Sequence, residues 1–108
     1  MTATNRKIAL IGGGGVRSPL VVYGVNEAAA ALGVEEMVLY DPDPERVQLM
    51  VAMGRAVVSE FGGDLRLRAA DSLEDAIEGA DFVLNSIRIG GIAQRAADER
   101  VSIDQGYP

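Results

Sequence analysis

The chain has 108 residues, with 10 Lys and Arg against 16 Asp and Glu, and no His or Cys. The length suits one domain, and 48% hydrophobic with 24% charged residues excludes wholesale disorder. A net charge of −6 argues against nucleic-acid binding, while the missing Cys and His exclude disulfides, thiolate metal sites and Ser-His or Cys-His catalysis. We therefore expect these residues to bind a ligand rather than to catalyse a reaction.

The first predicted unit runs from a strand at residues 7–11 to a helix at residues 20–32. The strand residues show no polar alternation, which is typical of a strand covered on both faces. Ser18 and Pro19 form a good N-cap and first-turn pair. Gly33 stands where a left-handed C-terminal cap belongs.

The second unit begins with an apolar run at residues 37–40, which ends in Asp41. Asp43 and Pro44 restart a helix, and Gly62 and Gly63 end it. Its apolar residues recur at spacings of three and four, which predicts one buried stripe. The stripe consists of Val47, Met50, Val51, Gly54, Val57, Val58 and Phe61.

The third unit alternates Arg66 and Arg68 with apolar residues over residues 65–69, which predicts an edge strand. Ser72 opens a short helix in a near capping box, and Gly79 closes it. A fourth apolar run at residues 82–84 precedes Asn85. It is followed by Gly90 and Gly91 and by a helical pattern from residue 92 to about residue 104.

Strands that alternate with helices predict an α/β fold, a Rossmann-like doubly wound parallel sheet with strand order 3-2-1-4. Residues 1–108 form one domain in this interpretation. The fourth strand is apolar throughout, as in a central strand, yet nothing in the sequence is left to pair with its outer edge. We expect either a partner there or a longer parent chain.

Four consecutive glycines, Gly12, Gly13, Gly14 and Gly15, are the strongest signal of a binding site. A glycine loop between a strand and a helix lets the backbone approach a pyrophosphate, and the helix N-terminus supplies amide donors. The third glycine of the usual fingerprint is missing, since Arg17 or Ser18 stands there. A turn that merely tolerates glycine would show the same pattern.

Asp41 closes the second strand, where an acidic side chain accepts both ribose hydroxyls of an adenosine and excludes a 2′-phosphate. This position predicts NAD rather than NADP, although Asp41 could simply start the turn before the next helix. Arg46 could cover the adenine face or lie solvated on the helix.

A third candidate region follows the fourth strand, beside the point where the strand order reverses. Asn85 and Arg88 lie there, and Arg95 falls in the first turn of the next predicted helix, where it could grip an anion. Ion pairs of Arg95 with Asp98 and Glu99 on a helix surface explain the same residues equally well.

Together these residues resemble the N-terminal part of the family 4 glycoside hydrolases, the NAD-dependent 6-phosphoglycosidases and their relatives. The resemblance covers essentially the whole chain. Its most specific part is the string Arg88-Ile89-Gly90-Gly91 with Arg95, Asp98-Glu99 and Gly106. Weaker parts are the triple glycine with Ser18-Pro19, Leu39-Tyr40-Asp41 with Glu45-Arg46, and Ala80-Asp81-Phe82-Val83.

The resemblance implies a glycosidase in which NAD oxidises the sugar C3 hydroxyl, the C2 proton is removed, the glycosidic oxygen is eliminated and water adds. It implies that Gly12–Gly14 and Asp41 hold NAD and that Arg95 contacts the phosphate of a phosphorylated sugar. A divalent metal, commonly manganese, would be bound by residues that this sequence lacks. No catalytic residue or metal ligand is expected within it.

The loop Gly15-Val16-Arg17 departs from the family pattern, which usually has Ser after the three glycines. Arg17 adds a cation that suits a phosphorylated or carboxylated sugar. The resemblance favours a 6-phospho-β-glucoside, and a non-phosphorylated galactoside or uronide stays open. The residues also fit the NAD-binding half of a 2-hydroxyacid dehydrogenase, or a nucleotide-sensing module that is not an enzyme.

No segment approaches the roughly 20 apolar residues that span a bilayer, and the polar start of the chain lacks a secretory apolar region. We expect a cytoplasmic homo-oligomer without membrane contact.

Overall fold

A computed structural model describes residues 5–86 of the chain. Within them, parallel strands alternate with helices, as the sequence predicts. The strands are β1 (Arg6–Ile11), β2 (Val34–Tyr40), β3 (Arg66–Ala69) and β4 (Phe82–Asn85), and the helices are α1 (Ser18–Leu32), α2 (Pro44–Phe61) and α3 (Leu73–Ile77). The expected Gly90-Gly91 turn and the helix from residue 92 lie outside the described residues.

The strands form one parallel sheet in the order β3-β2-β1-β4. This arrangement confirms the Rossmann-like class and the expected strand order. β1 pairs with β2 on one side and with β4 on the other, so that Ile11 lies opposite both Tyr40 and Asn85. The carboxyl ends of these three strands therefore meet at one edge of the sheet.

Helices cover both faces of the sheet, as the doubly wound class requires. α1 and α2 pack on the face that includes Leu10 and Leu39, which are almost fully buried. α3 packs on the opposite face through Ala76, against Ala9 and Val38. Burial on both faces explains why β1 has an unbroken apolar run.

The helix starts show one error in the sequence prediction. The N-cap of α1 is Arg17, whose side chain makes no cap hydrogen bond, whereas Ser18 is the first helical residue. The Ser18 hydroxyl is instead turned into the glycine loop. At the other end Gly33 adopts the expected left-handed conformation, with φ 69°.

The start of α2 confirms its prediction. The Asp43 side chain accepts hydrogen bonds from the amides of Glu45 and Arg46, and Pro44 occupies the first turn. These bonds satisfy amides that the helix itself leaves unpaired.

The predicted buried stripe of α2 is correct except near its end. Val47, Met50, Val51, Gly54 and Val58 are buried and Val57 is half-buried. The prediction that Phe61 is buried is wrong, since 57% of the residue is exposed. Its ring makes an edge-on contact with Tyr23 of α1, with 4.9 Å between the ring centroids, on the outer side of the two helices.

The outer strands differ in how they meet solvent. β3 is an edge strand as predicted, and its Leu67 is buried between two more exposed arginines. β4 forms the other edge within residues 5–86, and Phe82, Val83 and Leu84 are 39%, 53% and 39% exposed there. The apolar character of β4 thus suits a more covered position than its contacts with β1 alone provide. No helix in the described part of the chain is long and apolar enough to cross a membrane.

Polar contacts fasten α3 to the sheet. Lys7 of β1 donates through Nζ to the carbonyl oxygens of Asp75 (2.9 Å) and Glu78 (2.7 Å), near the C-terminus of α3. Arg68 of β3 donates two hydrogen bonds to the Asp75 carboxylate, at 2.7 and 3.1 Å. The hydrogen bonds from Arg68, and after them one from the Asp71 amide, lower the pKa of Asp75 to about 2.

The lowered pKa of Asp75 predicts an acid-dependent loss of stability. Because the folded-state pKa lies below the ordinary value near 4, the contribution of the pair is complete above about pH 4 and is lost as the pH falls toward 2. The wild type takes up protons when it unfolds in this pH range. Asp75→Asn should reduce the number of protons taken up by at most one. Denaturant unfolding between pH 2 and 5, with the exposed Asp64→Asn as control, measures it. An identical pH dependence in Asp75→Asn and the wild type would contradict the assignment.

Candidate functional site

A cleft of about 830 Å³ opens at the carboxyl edge of the sheet, between the loop after β1 and the loop after β2. Ligands bind to open α/β sheets at this edge, where the strand order reverses. Residues of the glycine loop, the start of α1, the β2–α2 junction and the end of β4 line the cleft. They are Gly12, Gly14, Gly15, Val16, Arg17, Ser18, Val21, Asp41, Pro42, Arg46 and Ser86.

The glycine loop turns sharply off β1 and stays against β2. Gly12 has φ 90°, a conformation that glycine adopts without strain. The amides of Gly12 and Gly13 both donate to the Tyr40 carbonyl oxygen, at 2.8 and 2.7 Å. The Gly15 amide closes the turn on the Gly12 carbonyl at 3.2 Å.

The Gly14 backbone lies directly against the Asp41 carboxylate. The Gly14 amide donates to Asp41 Oδ2 at 3.0 Å. A Cβ on Gly14 would come within 2.7 Å of Asp41 Cγ and 3.1 Å of Arg46 Cβ. Because real Cβ atoms do not approach a carboxylate so closely, a side chain at residue 14 would displace either the loop or the Asp41 carboxylate.

The Asp41 carboxylate is oriented before any ligand arrives. It is half-buried, and its Oδ1 accepts from the Asp43 amide at 2.9 Å while Oδ2 accepts from Gly14. An ionised carboxylate offers about four lone-pair sites. Two further donors, such as a pair of sugar hydroxyls, therefore have acceptor positions at Asp41.

Arg46 contacts the glycine loop. Its Nε donates to the Gly14 carbonyl oxygen at 3.0 Å, although the residue as a whole is exposed. The sequence suggested either an adenine cover or a solvated helix residue for Arg46. The tertiary structure places Arg46 beside Gly14, although the two residues are 32 positions apart in the chain.

Two serines were missed as site residues by the sequence analysis. Ser18 is 3% exposed, and its Oγ donates to the Gly13 carbonyl oxygen at 2.7 Å. The Ser86 amide donates to the Ile11 carbonyl at 2.8 Å, and its hydroxyl lies 3.3 Å from the Gly12 carbonyl. The signal for Ser18 was its place beside the glycines, which we interpreted as a helix cap.

The loop also offers two amides to a ligand. Within residues 5–86, the amides of Gly12, Gly13, Gly14, Gly15 and Ser18 all have acceptors in the protein, whereas those of Val16 and Arg17 have none. Both residues line the cleft at the N-terminus of α1. The glycines thus allow the close approach, and the two residues after them provide the free donors.

The remaining candidates differ in how the structure places them. Asn85 ends β4 opposite Ile11, and it is the next residue, Ser86, that lines the cleft. Arg88 and Arg95 lie outside the described residues. Among residues 5–86, no three carboxylate, imidazole or thiol groups gather closely enough to hold a metal ion.

A smaller cleft of about 330 Å³ adjoins the first at the carboxyl ends of β2 and β3. Asp41 and Pro42 line both clefts and separate them. Ala69, Ala70 and Asp71 form the far side of the smaller one. An extended ligand can therefore reach both sides of the Asp41 carboxylate.

Comparison with known proteins gives a consistent result. The sequence model of the family described as "Family 4 glycosyl hydrolase" matches residues 7–108. A solved 6-phospho-β-glucosidase from Thermotoga maritima, with manganese, NAD⁺ and glucose-6-phosphate, is 28% identical with a TM-score of 0.75. The match covers 94% of this chain and 24% of that one.

Two proteins of Bacillus subtilis are also similar to the chain. A maltose-6′-phosphate glucosidase is 29% identical, over 92% of this chain and 22% of its own length. An α-galactosidase is 30% identical, over 80% of this chain and 20% of its own length. The chain thus spans about a fifth to a quarter of the length of the relatives it matches.

The different surroundings of the glycines predict different tolerances to substitution. Gly14→Ala must displace the loop or the Asp41 carboxylate, so it should lower the free energy of unfolding by about 1–3 kcal/mol. Gly15 is the matched control, because its Cβ would meet only the Gly12 carbonyl oxygen, at an ordinary 3.4 Å. Gly15→Ala should leave stability unchanged or raise it by up to about 1 kcal/mol. Urea unfolding of the two variants measures both effects, and equal losses would contradict the placement of the loop.

Proposed function

Because the chain belongs to the family 4 glycosyl hydrolases, we propose that it forms the NAD-binding domain of an NAD- and divalent-metal-dependent glycosidase. The observation that supports this most is the glycine loop held against the Asp41 carboxylate at the carboxyl end of β2. The backbone of the loop suits the diphosphate of a dinucleotide, and the acidic residue at the end of β2 suits the adjoining ribose.

The described residues fit such a ligand in three ways. The Val16 and Arg17 amides are available to phosphate oxygens at the N-terminus of α1, where the helix dipole favours an anion. The Arg17 side chain adds a positive charge at the cleft. Asp41 keeps acceptor positions for the hydroxyls of a ribose, and its negative charge opposes a 2′-phosphate.

We assign a cofactor role, and no acid–base role, to residues 5–86. When bound, NAD supplies the hydride acceptor that oxidation of the sugar C3 hydroxyl needs. The chain's own residues would hold the dinucleotide by Gly12–Gly15, Asp41 and the end of β4 near Asn85. Manganese is bound in the T. maritima relative, and we place the metal ligands of the proposed enzyme outside residues 5–86.

For the substrate we propose a 6-phosphoglucoside, with a β-linkage as first choice. The phosphoglucosidases among the relatives support a phosphorylated sugar. The α-galactosidase relative favours a second candidate, a galactoside without phosphate. A cytoplasmic location and a homo-oligomeric assembly stay predictions.

Asp41 predicts selectivity between the two nicotinamide dinucleotides. We expect the chain to bind NAD at least about tenfold more tightly than NADP, since a charged acceptor at the ribose contributes about 1.5–3 kcal/mol. Asp41→Asn should weaken NAD binding by about tenfold or more and narrow the gap to NADP. Calorimetric titration with both nucleotides tests this.

The control for this titration is Glu45→Gln, which removes one charge from the exposed first turn of α2. It should leave both affinities within about twofold. Equal binding of NAD and NADP by the wild type would refute the role of Asp41.

We propose that Arg95 and Arg88 contact the substrate, with Arg95 at the sugar phosphate, as the resemblance implies. In a form of the enzyme that turns over substrate, Arg95→Ala should leave NAD binding intact. It should weaken binding of a 6-phosphoglucoside by about 10- to 150-fold, equivalent to about 1.5–3 kcal/mol. Arg95→Lys keeps the charge without the planar fork and should recover part of the affinity.

The same variants are compared on the unphosphorylated glucoside as control. If Arg95 binds the sugar phosphate, its substitution should weaken binding of the phosphorylated glucoside alone. Equal losses on both sugars, or none on either, would leave a surface ion pair with Asp98 or Glu99 as the role of Arg95.

A further inference from the structure

Gly14 is held from two directions by side chains of the β2–α2 junction. Its amide donates to Asp41 Oδ2 at 3.0 Å, and its carbonyl oxygen accepts from Arg46 Nε at 3.0 Å. These two contacts attach the middle of the loop to a neighbouring part of the sheet. The other bonds that the Gly14–Ser18 segment makes with the rest of the loop, such as Ser18 Oγ to the Gly13 carbonyl, are internal to the β1–α1 connection.

The Arg46 side chain is itself placed by its helix. Its amide donates to Asp43 Oδ1 at 3.2 Å, so Asp43, which caps α2 and also donates to Asp41, links both contacts to Gly14. The Arg46 Cβ lies 3.1 Å from where a Gly14 Cβ would be. The stem of the side chain therefore packs against the loop, and the guanidinium reaches past it to the carbonyl.

The position of Gly14 determines where the free donors of the loop point. Gly14 lies within the turn that Gly15 closes on Gly12, and the Val16 and Arg17 amides follow that turn directly. A loop that shifted at Gly14 would carry these amides with it. Displacements well below 1 Å matter here, because hydrogen bonds to phosphate weaken steeply with distance and angle.

We propose that Arg46 is a positioning residue for dinucleotide binding, which acts through the Gly14 carbonyl rather than by covering the adenine ring. This inference rests on the proposed NAD-binding function. Arg46 fixes the Gly14 peptide, the Gly14 peptide fixes the Val16 and Arg17 amides, and those amides meet the diphosphate. Substitution of Arg46 should therefore weaken binding of ligands that contain the diphosphate and should not affect a ligand that contains only the base and ribose.

Three probes separate the two roles of Arg46 in the full 108-residue chain. NAD and ADP contain the diphosphate, whereas adenosine has the same base and ribose without it. Arg46→Met should weaken NAD and ADP binding by about three- to tenfold and leave adenosine binding within about twofold. Arg46→Lys should restore part of the loss, since it keeps one donor and the charge but lacks the Nε geometry.

Arg55→Met is the matched control, because Arg55 lies on the same helix and makes the same kind of contact. It donates through Nε and Nη2 to the Leu67 carbonyl oxygen, at 3.2 and 2.8 Å, away from the cleft. We expect a lowered melting temperature from Arg55→Met but affinities for NAD and ADP within about twofold of the wild type. An equal loss of affinity in both variants would mean general destabilisation and overturn the proposal.

Salt and hydrogen exchange complete the experiment. The loss in Arg46→Met should persist at about 0.5 M salt, because screening weakens a through-space charge effect far more than a positional one. The Gly14 amide should exchange faster in Arg46→Met, as seen by NMR without any ligand. A loss that disappears at high salt, a parallel loss for adenosine, or unchanged Gly14 exchange would each overturn the inference.

Titration of the wild type with NAD distinguishes failure of the positioning role of Arg46 from failure of the proposed NAD-binding function. A wild type that does not bind NAD refutes the proposed function. A wild type that binds NAD only as tightly as Arg46→Met refutes the positioning role of Arg46 alone.

Discussion

The contact of the Gly14 backbone with the Asp41 carboxylate is the constraint on which the carboxyl edge of the sheet depends. It brings the loop after β1 within hydrogen-bonding distance of the end of β2, at 3.0 Å, where a Cβ on residue 14 would clash with the Asp41 carboxylate. Since the two strands are neighbours in the sheet, the contact joins their loops where both line the cleft. The donors of the loop and the acceptors of Asp41 are then held at fixed separation.

Polar groups at the amino ends of the strands stabilise the fold, whereas some of those at the carboxyl ends are available for binding. At the amino ends of the strands, Lys7 Nζ bonds to the carbonyls of α3 and its turn, and the Lys7 amide donates to Asp81 at 2.8 Å. At the carboxyl ends, the amides of Val16 and Arg17 lack acceptors within residues 5–86. Polar groups that are satisfied stabilise a fold, whereas a concentration of unsatisfied donors beside a cleft is what an anionic ligand requires.

The chemistry of the described residues suits a holding role in a larger catalyst. Hydrogen-bond donors, one oriented carboxylate and backbone space are present, and the sequence contains no His or Cys to transfer protons near neutrality or bind a soft metal. In the proposed glycosidase such a domain presents the oxidant to the sugar. Relatives named as a maltose-6′-phosphate glucosidase and as an α-galactosidase both match this sequence.

The sequence by itself determined the order of strands and helices, the glycine loop, the acidic end of β2 and the cap of α2 at Asp43. These features depend on local chemistry: unbroken apolar runs, the missing Cβ of glycine and a side chain that reaches its own helix. For the same reason the buried stripe of α2 was predictable as far as Val58. Phe61 is instead exposed, and its ring contacts Tyr23 of α1.

Only the tertiary structure decided which partners distant residues find. Ser18 has a good N-cap sequence, yet its hydroxyl bonds to Gly13 because the loop folds back over the helix start. Arg46 could have pointed to solvent until the sheet brought Gly14 beside it, 32 positions away. Among residues 5–86, the loop amides without an acceptor belong to Val16 and Arg17 rather than to the glycines, because the glycine amides pair with Tyr40, Asp41 and Gly12. Spacing along a chain determines local bonds, whereas the competition among distant donors and acceptors is settled by the packed sheet.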